Sequence, residues 1–61
     1  MTGSDFKQVR RKLGLTQQQL GDELHMTRVM VGLMERGEKP IERRTEYAVQ
    51  YLLLRITRVS E

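Results

Sequence analysis

The 61-residue chain has no cysteine and no tryptophan, and only one proline, one histidine and one phenylalanine. Without thiols it can form neither a disulfide nor a thiolate metal site, and a single imidazole cannot build a zinc site alone. No apolar run reaches the roughly 18 residues that a membrane span needs. The opening MTGSDF lacks the charged-then-apolar layout of a signal peptide, so a cytoplasmic protein with no membrane role is expected. Paired carboxylates, a nucleophile–base set and a phosphate-cradling loop are missing too. No enzymatic activity, cofactor or metal is therefore expected.

A chain this short makes one domain, residues 1–61. Such a domain buries only about 60% of the surface it exposes when unfolded. With no covalent staple, its stability must come from close helix packing or from a second chain. A homodimer is thus a physical expectation before any other argument. What the sequence does hold is positive charge: 11 Lys and Arg against 8 Asp and Glu, a net charge of +3. That balance favours nucleic acid as a partner, although an ordinary solvated surface can carry the same count.

The pattern is helical throughout. Met1 to Gly3 reads as a loose tail, with Ser4 as the cap of a first helix and Asp5 set against its positive end. Phe6, Val9 and Leu13 form an apolar stripe on that helix, and Gly14 stops it. Thr16 opens the next helix as a hydroxyl cap, and Gln19 completes a capping box. Leu20 and Leu24 share its inner face. His25-Met26 is a break, Thr27 a second cap, and Val31 and Met34 the inward stripe of a third helix that ends at Gly37. Two capped helices this close together cannot lie antiparallel; they cross steeply, as in a helix-turn-helix over residues 16–36. A turn containing Pro40 follows. From Glu42 or Thr45 a longer helix runs to about Ile56 and is apolar on two sides. One side covers the core, and the other, with Val49, Leu53 and Ile56, is expected to meet a second subunit. Residues 57–61 are left as a tail that frays, extends the helix, or pairs across a dimer axis.

The run Leu15-Thr16-Gln17, Leu20, Leu24, Thr27, Val31, Met34, Glu35-Arg36-Gly37 resembles the Cro/C1-type (XRE-like) helix-turn-helix family of phage and bacterial repressors. The likeness extends from about Phe6 to Leu54. It implies an all-α, compact four-helix bundle of the lambda-repressor kind that binds operator DNA as a dimer. It also implies roles for particular residues. Arg28, Val29, Met30 and Leu33 fall where the family turns side chains toward base edges, and Arg28 is the best reader because a guanidinium forks onto guanine. Gln17, Thr27, Gly32, Arg36, Lys39 and Arg43 fall near the phosphates, as does Arg44 in the cluster after the third helix, with Gln18 as a weaker candidate. Arg10 and Glu35 are expected to form a structural ion pair between the first and third helices.

Three departures from the family pattern matter. His25 stands where glycine is usual, at a turn position favouring a left-handed backbone. Gly21 and Gly32 lie inside helices, each costing roughly 1 kcal/mol of propensity. Close packing of crossing helices accounts for Gly21, whereas Gly32 leaves bare backbone facing DNA. Finally, Val29, Met30 and Leu33 make the outer face of the third helix apolar. Apolar side chains there read thymine methyl groups, or else the face has become a protein-binding surface. The expectation is a homodimeric repressor on a palindromic double-stranded DNA operator, with a protein-interaction module such as an adaptor or antitoxin as the alternative. Phage switches, toxin–antitoxin operons and anti-CRISPR operons all use such compact regulators, and no residue chooses among them.

Overall fold

Four helices follow one another in a computed structural model: α1 (Gly3–Leu13), α2 (Gln17–Leu24), α3 (Arg28–Glu35) and α4 (Arg43–Val59). The backbone is described for residues 1–59 and the side chains for residues 1–56. The core takes one fully buried residue from each helix, Phe6, Leu20, Val31 and Val49. Leu13 and Met34 complete it, and Val9, Leu15, Leu24, Met26, Ile41, Leu52 and Leu53 pack partly buried around it.

Helix starts and stops are encoded locally, with one change from the sequence expectation. Thr2, not Ser4, caps α1. Its hydroxyl accepts from the Asp5 N–H at 3.0 Å, and the Asp5 carboxylate accepts from the Thr2 N–H at 3.2 Å. That reciprocal box satisfies two orphan donors at once and draws Thr2 and Gly3 out of the expected loose tail. Glycine is needed at position 3 because a Cβ there would lie 2.5 Å from the carbonyl oxygens of Met34 and Glu35. The first turn of α1 therefore rests directly on the last turn of α3.

Gly14 ends α1 in the left-handed region, at φ 71°, and Thr16 with Gln19 boxes the start of α2. His25 ends α2 at φ 58°, the single non-glycine residue with positive φ among the described residues. The Met26 N–H then donates to the Gly21 carbonyl at 2.8 Å. A Cβ on Gly21 would meet the Met26 carbonyl oxygen at 2.6 Å. The bare backbone at Gly21 is thus what lets the turn fold back tightly enough to launch α3.

Past α3, Gly37 turns at φ 78°, and the Glu38 and Lys39 N–H groups both donate to the Leu33 carbonyl, at 2.9 and 3.3 Å. The long α4 corrects the expected division of its faces. Val49 is 0% exposed, so it is core and has no surface to offer a second chain. Leu53 is half-buried against the same core. Ile56 alone of the three expected interface residues is largely open, at 47%. Of the expected C-terminal tail, residues 57–59 continue α4, and Ser60 and Glu61 lie outside the described residues. Among the described residues no helix is long and apolar enough to cross a membrane.

Candidate nucleic-acid interface

α2 and α3 are held together by three residues of turn and by one charged cluster beneath their exposed face. Arg10 donates from Nε to Glu35 Oε2 at 2.6 Å and from Nη2 to Glu35 Oε1 at 3.3 Å, a two-pronged pair that joins α1 to α3. A third donor, Arg10 Nη1, reaches the Leu15 carbonyl at 2.9 Å. The Glu35 side chain is 4% exposed and that of Arg10 14%. Removing one member of a pair this enclosed leaves a stranded charge, at a cost of about 3–5 kcal/mol when burial is complete. The pair positions α3 and does not face outward.

Gln17 joins the same cluster, which its sequence position did not announce. Its Nε2 donates to Glu35 Oε1 at 3.1 Å. Half-buried, its side chain is thus directed toward α3 and ties the first turn of α2 to the last turn of α3. The residue spacing that would have hinted at this contact crosses two helices, so no local periodicity exposes it.

Above this cluster Gln17, Arg28, Val29, Gly32 and Arg36 surround an open cleft of about 230 Å³. Thr27 caps α3 by accepting from the Met30 N–H at 3.2 Å. The cap marks the N-terminal end of α3, the positive end of its dipole, beside Arg28. Val29 stands 63% exposed on the same side. Gly32 does not lie bare as expected. It is buried, and a Cβ added to it would meet Arg36 Nη1 at 3.2 Å and the Gln17 amide at 3.7 Å. Two flexible side chains roof it, so an approaching backbone reaches Gly32 only after they swing away.

Of the four residues expected to read bases, three line two different surfaces and the fourth lines neither. Arg28 and Val29 line the cleft with Gln17. Met30, 36% exposed, instead lines a neighbouring groove of about 370 Å³ with Met26, Met34, Lys39, Pro40 and Glu42. Leu33 is half-buried. Among the cations, Arg36 holds Glu38 through Nε at 2.6 Å, with both side chains more than half exposed, while Lys39 and Arg43 have no ion-pair partner among the described residues. An exposed pair such as Arg36–Glu38 is weak and exchanges readily for another anion. Among the described residues no cluster of His, Asp and Glu could hold a metal ion.

An α2–turn–α3 unit with a capped second helix, a locked rear face and an outward cleft bordered by Arg28 and Arg36 defines a helix-turn-helix DNA-binding domain. Comparison places it further: residues 6–45 match the helix-turn-helix family, and the chain belongs to that family in its Cro/C1, XRE-like form. This is a family of DNA-binding transcription regulators. Neither the curated proteins nor the solved structures hold a significant match to the chain.

Proposed function

We propose that the protein is a cytoplasmic, homodimeric repressor that occupies a short inverted-repeat operator and reads it with α3 in the major groove. The observation that carries this reading is the cleft between α2 and α3, where Arg28 and Val29 stand side by side with Gln17 and Arg36. A guanidinium beside a branched apolar side chain suits a guanine next to a thymine methyl group. Lys39, Arg43 and the loosely held Arg36 suit the flanking phosphates, and so do Thr27 and the first turn of α2 at Gln17. Met30 and Leu33 take a smaller share, at the margin of the groove.

Dimerisation is assigned to the free end of α4. There Ile56, with Leu13, Leu15 and Leu52, borders an apolar groove of about 290 Å³ whose rim carries both Glu23 and Arg55. One acid and one base on the same rim suit pairing with a copy of itself. Two α3 helices related by a two-fold axis would then enter major grooves about 34 Å apart.

Fluorescence anisotropy against the DNA upstream of the protein's own gene tests the reading, with a shuffled duplex of equal length beside it. The titration runs from about 50 to 300 mM salt, over which an interface of several phosphate contacts weakens steeply. Tight binding to the native duplex alone supports an operator. Failure to bind either duplex at the lowest salt would instead give the exposed Val29 face to a protein.

A further inference from the structure

Along the outer side of α4 runs an apolar line that the core, the cleft and the dimer assignment all leave unused. Tyr47, Tyr51 and Leu54 stand 58%, 61% and 54% exposed on it. Their spacing of four then three aligns them along one line of the helix, the repeat with which one helix packs against another. Tyrosine flanked by arginine is also the composition of strongly contributing positions in protein interfaces.

Charge identifies what covers this line. Arg43 and Arg44 are exposed at its N-terminal end and Arg55 at its C-terminal end. Arg44 has Glu42 at 3.6 Å, but those side chains are 85% and 65% exposed, so that contact does little to neutralise it. Arg43 and Arg55 hold no ion pair among the described residues. Glu46, the one carboxylate within α4, is turned to the start of α1, where it accepts from the Met1 ammonium at 3.0 Å. The face is therefore apolar at its centre and cationic at both ends.

A second copy of α4 fits it poorly. An antiparallel pair sets Arg44 of one copy near Arg55 of the other, and a parallel pair sets each arginine against its own image. Like charges so placed disfavour the complex. A helix with the same apolar repeat and acidic flanks meets no such conflict, and an amphipathic helix laid along apolar anchors is a common mode of recognition. We propose that the outer face of α4 docks an acidic amphipathic helix of another protein, seated on Tyr47, Tyr51 and Leu54 and steered by the arginines. The apolar line itself is separate from the DNA reading, whereas Arg43 is shared with the proposed phosphate contacts and Arg55 with the rim of the proposed dimer groove.

The probe is a fluorescein-labelled peptide of about three heptads, with leucine at the seam and glutamate on the flanks. A second peptide carries lysine for each glutamate. The full chain should bind the glutamate peptide with an affinity that falls with salt, and the lysine peptide at least about tenfold more weakly. Tyr51→Ala should weaken the glutamate peptide by about tenfold. Arg44→Glu should shift preference toward the lysine peptide, an outcome that mere loss of structure cannot produce. Unchanged melting of both variants by circular dichroism establishes that they fold. Equal binding of the two peptides, or glutamate-peptide binding that ignores both substitutions, would overturn the proposal. So would sedimentation showing a dimer of the unmodified chain that Tyr51→Glu disperses, because the face would then belong to a second copy.

Discussion

Arg28 and Gly32 sit one helical turn apart on the same cleft and work by opposite means, one by what it offers and the other by what it omits. Arg28 has no ion-pair partner among the described residues, and its guanidinium stays available for a base edge. Arg28→Ala should cost about 1–3 kcal/mol on the operator and relax preference at one or two base pairs, with little change on random DNA. Equal losses on both duplexes in the anisotropy assay would reduce Arg28 to a phosphate contact. The helical glycines make a second, contrasting test. At Gly21 an added methyl group strikes the fixed Met26 carbonyl at 2.6 Å, whereas at Gly32 it meets the movable end of Arg36 at 3.2 Å. Gly21→Ala should therefore destabilise by about 1–3 kcal/mol. Gly32→Ala should gain up to about 1 kcal/mol from helix propensity. Urea unfolding of the two variants decides the point, and a loss at both positions would mean that Arg36 cannot give way.

Elements are held by their ends as much as by their faces. Each of the first three helices opens on a threonine, and the capping partner is another side chain or an amide three residues on. The sequence alone does not single out the first such box, because Ser4 is also a good cap and sits closer to Phe6. What chooses Thr2 is the reciprocal bond to Asp5 together with the carbonyls of α3 waiting over Gly3. Thr2→Ala should lower stability by about 1 kcal/mol, and Ser4→Ala should stay within a few tenths. Equal losses from the two substitutions would return the cap to Ser4. The capping box of α2 and the cap of α3 were readable, since Thr16, Gln19 and Thr27 stand directly before apolar periodic residues. His25 shows the limit of that reading. Its left-handed backbone follows from the position between two caps, while the choice of histidine over glycine has no explanation in its contacts.

At the scale of the whole molecule, the domain measures 36 × 20 × 17 Å, longer in one direction. Helix α4 alone, at 17 residues, spans about 25 Å. Its inner side completes a core drawn from all four helices, and its far end leaves Ile56 beside an open apolar groove. Ile56→Glu should convert a dimer to a monomer by sedimentation and weaken operator binding by more than tenfold, because two linked half-sites become one (about 1.4 kcal/mol for each factor of ten). Ile56 is a cleaner site for this test than Leu53, where a glutamate would also place a charge against the core. Persistence of the dimer in Ile56→Glu would move the interface off this end of α4. Lys39→Ala and Arg43→Ala act on the same scale. Each should weaken all duplexes alike and lower the salt slope by about one.

The sequence by itself determined the four helices, the turn between α2 and α3, and the membership of a DNA-binding family, because caps, breaks and apolar spacing are local and repeat within one or two turns. It also placed Arg10 and Glu35 as partners, through the family likeness. Tertiary structure alone decided which side of α4 is spent on the core, since Val49 and Tyr51 both satisfy a helical stripe and only packing against Phe6, Leu20 and Val31 separates them. Tertiary structure also drew Gln17 inward to Glu35, roofed Gly32, and turned Met30 into a different groove from Arg28. Those outcomes depend on side chains from separate helices meeting in space. No period within a single helix carries that information.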